Sequence, residues 1–272
     1  MRTDPRVSPF HRTRLLGPWL LAACTALTAV PALAAEAKKA ESPAASTELL
    51  AFPGAQGWAA HTPGGRGGQI IRVTTLADKG PGSFLEALKA KGPRVIVFEV
   101  GGIIDMKGEE IEIEEPYLTI AGQTAPNPGI TLIRAGVNIR AHDVIIQHIR
   151  VRTGTAGMAR RTGWEPDAMG TIGAYNVIVD HCSMSWSIDE NLSSSGKRFI
   201  GATPEEWRQH TSHAITFSNN ILAEGLANAT HAKGEHSKGS LIHDNVTDIL
   251  ITGNLYAHDA ERSPLLDRKS VV

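Results

Sequence analysis

Four acids stand out by their positions. Glu165 and Asp167 precede the segment 172–186, IGAYNVIVDHCSMSW, and Asp189 and Glu190 follow it. The segment contains Val177-Ile178-Val179, too apolar a run for an open loop. If the strands on either side belong to one coil of sheet, all four carboxylates return to one neighbourhood. Clustered carboxylates repel and lose hydration unless protons or a cation neutralise them. A hard cation with oxygen ligands, Ca²⁺ first, meets that need. Singly, each acid reads as a turn residue facing solvent; as a group they read as metal ligands.

Two basic residues occur at comparable places. Lys238 lies in HSKGSLI before an apolar pair, and Arg262 lies in ERSPLL after a strand-like run ending at His258. Alone, each reads as one solvated cation among the 27 Lys and Arg. Beside the acids and a cation, they make a coherent site for a polyanionic sugar, because carboxylates are recognised by Arg forks and hard cations. His231 and His236 invite a zinc reading, but no third ligand follows at a convincing spacing. Ser237 and Ser240 have no evident base, which argues against a hydrolase triad. The acids themselves leave open a pair of glycosidase carboxylates.

The elements that must position these residues are short and β-rich. Runs at 95–100, 111–115, 118–122, 130–135, 144–152, 177–186, 214–222 and 249–258 recur with no clear long helix between most of them. Four of them share one grammar: apolar triplet, polar break, apolar again (VIIQHIRV, VIVDHCSM, ITFSNNIL, ILITGNLY). Their spacing of roughly 33–38 residues marks a repeat with variable insertions. Same-phase strands without hairpin turns suit a solenoid of parallel strands stacked about 4.8 Å apart. His148, His181, Asn219, Asn220 and Asn254 then fall at equivalent corners as structural polar stacks. Asp180 reads as structural in the same way. The segment 83–91 forms a short amphipathic helix, with Ser83 as N-cap and Glu86 three residues on. Thr203-Pro204 starts another, within an excursion over 197–213. Gly64-Gly65-Arg66-Gly67-Gly68 lacks the ending of a phosphate loop and reads as tight turns.

The 272 residues carry a net charge of −1 and are 42% hydrophobic, which suits one domain with a sizeable core. No basic excess exists to neutralise phosphates, so nucleic acid is excluded as a partner. Aromatics are 5% and glycines number 27, which points to a narrow aliphatic core. Arginines at 2, 6, 12 and 14 precede an apolar run, and Ala32-Leu33-Ala34 fits a cleavage site. Residues 1–34 therefore read as a signal peptide for secretion, and 35–48 as a flexible lead-in. Cys24 offers a lipoprotein anchor as the weaker alternative, and the run is not read as a permanent membrane span. Cys182 remains as a small buried thiol, with no disulfide framework.

The chain resembles the pectate lyases, calcium-dependent polysaccharide lyases with a right-handed parallel β-helix. The motifs FPGAQGWA, GPGSFLEAL, PRVIVFEVGGII, VIIQHIRVR, DAMGTIGAYNVIVDHCSMSWSIDENL, HSKGSLI and ERSP carry the resemblance, from about Leu49 to the end. It implies an all-β solenoid over 49–272 with a short capping helix and loop insertions. It implies Asp167 and Asp189 as calcium ligands, with Glu165 and Glu190 as further or alternative ones. Lys238 resembles the lysine that contacts the substrate carboxylate, and Arg262 the catalytic arginine. A second substrate arginine is expected five residues on, where Asp267 stands; Arg268 is the nearest candidate. The implied reaction is β-elimination on 1,4-linked galacturonan, with Arg262 taking the C5 proton and a 4,5-unsaturated end as product. An arginine is normally protonated, so that role demands cationic surroundings. The partner expected is acidic polysaccharide, and the protein is expected to be a monomer. The family continues with further coils, so the chain reads as truncated at its C-terminus. The alternatives are a β-helix hydrolase of acidic polysaccharide and a non-catalytic or inactive binding β-helix.

Overall fold

The computed structural model describes residues 49–267. The segments read as signal peptide and lead-in lie outside the described residues, as does Arg268. Three parallel sheets, one of seven strands and two of six, run side by side along a common axis. From Arg94 onward consecutive strands in the chain fall in different sheets, while every hydrogen-bonded neighbour comes from the coil before or after. That is the expected parallel β-helix.

The apolar triplets explain the coil. In the seven-stranded sheet Ile96, Ile120, Ile146, Val179, Phe217 and Ile251 occupy one register column. In a second sheet Ile104, Leu132, Val151, Met184, Leu222 and Tyr256 do the same. Most of these side chains are buried in one continuous core. Each such aliphatic group contributes about 1.5–3 kcal/mol on leaving water.

The polar breaks are corners. The runs 144–152 and 177–186 each split into two strands, at His148 and His181, which adopt φ of 56° and 53°. Asn219 and Gly253 take the same left-handed conformation at φ 56° and 65°. One left-handed residue turns the chain from one sheet into the next. The neighbouring side chains satisfy what the corner leaves open. Asn220 Oδ1 accepts from Cys182 N at 2.9 Å, and Asn254 Oδ1 accepts from Asn220 N at 2.8 Å. The rings of His148 and His181 stack at 5.1 Å. Burial pushes the Cys182 thiol up to about 12, so it is an inert core group.

Ser83 caps the helix Phe84–Leu88, accepting from Glu86 N, and Phe84, Ala87 and Leu88 enter the core. The helix ends at Leu88, short of the stop expected at Gly92-Pro93. Thr203 and Glu206 form a reciprocal capping box on the helix Pro204–Gln209. The glycine-rich start lies against the seven-stranded sheet. A Cβ at Gly65 would sit 1.8 Å from the Arg94 carbonyl oxygen, so only glycine allows this approach.

Six strands escaped the sequence reading: Gly102–Asp105, Val137–Ile139, Met169–Ile172, Leu192–Ser195, Leu241–Ile242 and Leu265–Leu266. All but the first belong to one sheet, whose inner positions include Thr171 and Ser194, hydrogen-bonded to each other at 2.7 Å. Hydroxyls inside a strand erase the apolar alternation on which such readings depend.

Candidate active site

The site grows from the register of that third sheet. Met169 pairs with Leu192, and Ser194 pairs with Ile242. Two residues ahead of these strands the same alignment sets Asp167 beside Glu190 and Glu190 beside Lys238. Lys238 in turn pairs with Glu261, next to Arg262. Backbone bonds fix the column. Ala168 N donates to Glu190 O at 2.9 Å, Asn191 N to Lys238 O at 3.0 Å, and Gly239 N to Glu261 O at 3.0 Å. A Cβ at Gly239 would lie 2.3 Å from Arg262 O, so glycine is needed where these coils touch. Asp167, Glu190, Lys238 and Arg262 thus stand on successive coils at one edge of one sheet. Asp189, preceding Glu190, joins them.

Asp167, Asp189 and Glu190 each bring a carboxylate oxygen within 4.8 Å of the other two. Asp167 Oδ1 accepts from Glu190 N at 2.9 Å, and Ser193 Oγ donates to its Oδ2. Arg262 Nη1 is in ion-pair contact with Glu190 Oε1 and lies 3.8 Å from Asp189 Oδ1. Burial pushes the Asp167 carboxyl up to about 8; the Ser193 hydroxyl opposes this, while Asp189 and Glu110 add to it. Asp189 Oδ1 and Glu190 Oε1 are buried without a hydrogen bond of normal geometry. Charge-poor solvation of clustered oxygen donors is what a hard dication relieves, so these three acids fit Ca²⁺. The Arg262 guanidinium partly neutralises them.

Glu165 departs from the expected ligand set. Its Oε1 accepts from Ala232 N at 2.7 Å and lies 3.4 Å from His231 Nδ1, behind the imidazole rather than among the three acids. The reason is local. The segments 161–165 and 229–232 are bound to each other by Arg161 N→Ala229 O at 3.1 Å, Gly163 N→Thr230 O at 2.9 Å and Thr230 Oγ1→Trp164 O at 2.6 Å. Those bonds carry Glu165 toward the 224–240 loop. The structure brings together Asp167, Asp189, Glu190, Lys238 and Arg262 at one edge of the third sheet.

Three neighbours were not foreseen. Glu261 Oε2 accepts from Lys238 Nζ at 2.7 Å, which lowers the Glu261 carboxyl; its place directly before Arg262 was the available signal. Asp259 Oδ1 accepts from Asn191 Nδ2 at 3.0 Å and Gly225 N at 2.8 Å, and burial raises its carboxyl. His236 Nε2 lies 2.9 Å from Asp189 Oδ1, a contact that no sequence spacing announced. Asp180 is structural, as read: it accepts from Gln147, His181, Ser218 and Asn219.

No helix among the described residues is long and apolar enough to cross a membrane. No protein-family model matches the chain. Curated sequences do. "Probable pectate lyase C" of Emericella nidulans is 36% identical over 220 residues, 80% of this chain and 45% of that protein. The protein of the same name from Neosartorya fischeri is 38% identical over 221 residues, covering 81% and 46%. The chain therefore spans somewhat less than half the length of these relatives. A solved structure of a pectate lyase superposes with a TM-score of 0.55 at 14% identity, over 82% of this chain and 71% of that one, and shares the fold. Over some 220 residues the chain is thus homologous to curated proteins named pectate lyases, and it has the parallel β-helix fold of a solved one.

Proposed function

We propose that this protein is an exported, calcium-dependent pectate lyase that cleaves 1,4-linked galacturonan by β-elimination. The observation that carries the reading is the column itself: three carboxylates, a lysine and an arginine converge at one sheet edge. Asp167, Asp189 and Glu190 would hold the calcium, which would supply positive charge beside a bound sugar carboxylate. Lys238, buried along its stem, presents Nζ where it now holds Glu261. That pair is exposed on the Glu261 side and worth little, so a substrate carboxylate can replace it. Lys238 then withdraws charge from the C6 carboxylate and makes the C5 proton more acidic.

Arg262 is the group nearest the acids that can serve as base. Its contact with Glu190 sets it at the edge of the acid cluster, where it would take the C5 proton. The electron pair left on C5 forms the C4–C5 double bond, the C4–O bond breaks, and the leaving oxygen gains a proton. The product carries a conjugated, ultraviolet-absorbing end.

The export segment at 1–34 and the acidic polysaccharide partner belong to this proposal. The test is to incubate the full chain with polygalacturonate, with calcium and with chelator, and follow ultraviolet absorbance. Calcium-dependent absorbance supports the lyase. Chain shortening without absorbance would point to a hydrolase, and binding without any product to a non-catalytic β-helix.

A further inference from the structure

A second donor set adjoins the three acids, and it is nitrogen-rich. His231 and His236, from the 224–240 loop, stack with ring centroids 3.6 Å apart and planes 17° apart. Both are deeply buried, at 1% and 7% exposure. Their Nε2 atoms face the same carboxylate: His236 Nε2 lies 2.9 Å from Asp189 Oδ1, and His231 Nε2 lies 3.6 Å from Asp189 Oδ2. Neither Nε2 makes a hydrogen bond, and Asp189 Oδ1 makes none. Three buried polar atoms without partners, converging within 4.8 Å, are costly unless something sits between them.

The outer contacts define what fits. His236 Nδ1 donates to the Glu235 carbonyl oxygen at 3.2 Å, so Nε2 is the ring nitrogen that faces Asp189. His231 Nδ1 lies between Glu165 Oε1 at 3.4 Å and the Lys233 N–H at 3.1 Å. The carboxylate favours a proton on Nδ1 and a bare Nε2; the amide favours the reverse. A cation at Nε2 selects the first, giving a carboxylate–imidazole–metal relay. This gives Glu165 a role outside the oxygen cluster.

We infer that His231, His236 and Asp189 form a binding site for a borderline divalent transition ion of the Zn²⁺ class. Two imidazoles and one carboxylate are a donor set for zinc, whereas calcium takes oxygen alone. Asp189 retains partial exposure, which gives the ion a path. Closing on the ion requires the two rings to splay from their near-parallel stack. Occupancy ties the 224–240 loop to the turn at Asp189. The site uses one residue of the calcium set, and its binding is read without any lyase activity, so the two readings fail separately.

The experiment strips the full chain with chelator and titrates it with Zn²⁺, then with Co²⁺ as a spectroscopic probe. One Zn²⁺ per chain and visible Co²⁺ ligand-field absorption are expected. His236→Ala should weaken Zn²⁺ binding by at least about 100-fold, while His213→Ala, on the outside of the seven-stranded sheet, should leave it unchanged. Wild-type protein that takes up no stoichiometric Zn²⁺ overturns the inference, as does undiminished binding by His236→Ala. Should His236→Ala fail to fold, imidazole nitrogen chemical shifts in the wild type decide. Coordination shifts at His231 and His236 on adding Zn²⁺ support the site, and their absence overturns it.

Discussion

Asp180 is a buried carboxylate at the end of one strand and Asp167 a partly buried one just ahead of the preceding strand, and they are treated in opposite ways. Asp180 ends the strand Tyr175–Asp180 and accepts from Gln147 Nε2 at 2.9 Å, His181 Nδ1 at 2.7 Å, Ser218 Oγ at 2.7 Å and Asn219 Nδ2 at 3.0 Å. Burial raises its carboxyl, but these donors together outweigh that and hold it below the ordinary range. Asp167 receives one backbone N–H and one hydroxyl, faces Asp189, and is pushed up to about 8. The first carboxylate is finished by the protein. The second is left for something else to finish. A buried acid with all its lone pairs answered is scaffold; one crowded by its own kind and left short of donors marks a site.

The largest effect that sharpens this contrast is Arg262→Ala. Product formation on polygalacturonate should fall about 10²–10⁴-fold, with the circular dichroism of the β-helix unchanged. If the coil melts instead while activity per folded molecule persists, the cluster is scaffold after all. Lys238→Ala should reduce activity too, chiefly at low substrate, if Lys238 holds the sugar carboxylate as proposed. Chelator should abolish activity in the wild type, and added calcium should restore it.

On the other side of the comparison, Asp180→Ala should leave the donors of four side chains unanswered. Unfolding in urea should show a loss of about 2–3 kcal/mol, with little change in calcium affinity. A calcium-binding defect in that variant would break the distinction between the two acids.

Their pH dependences should run in opposite directions. Asp167, raised from 3.8 to about 8, holds a proton that the unfolded chain releases. Metal-free stability should therefore fall as pH rises from about 4 to about 8, and Asp167→Asn should flatten that slope. Calcium should raise the melting temperature more at pH 8.5 than at pH 5. Asp180, lowered below 3.8, contributes stability above that value and loses it as pH falls through its own lower one. The smallest effect is at the corner ladder. Asn254→Ala removes bonds to Asn220 N, to Asn220 Nδ2 and to the Phe217 carbonyl, and should cost about 1 kcal/mol in all because water reaches this partly buried corner.

Much of this was legible in the residues. Val177-Ile178-Val179 and its counterparts announced a repeated strand, because aliphatic triplets have few ways to leave water except by stacking on their like. His148, His181 and Asn219 announced corners, because one left-handed residue is what ends each triplet. The motif around Asp167 to Glu190 carried the likeness to the pectate lyases and named most of the acids that meet at the sheet edge. What the residues left open was decided by register. Asp167, Glu190, Lys238 and Glu261 become neighbours because Met169 pairs with Leu192 and Ser194 with Ile242, through strands whose inner hydroxyls hide them from any apolar pattern. Insertions of unequal length separate these coils, so no spacing in the chain encodes their contact. The same holds for His231 and His236. Their partner Asp189 lies on an earlier coil, and tertiary bonds such as Leu226 N to Ser187 O at 2.9 Å and those between the 161–165 and 229–232 segments carry the loop to it.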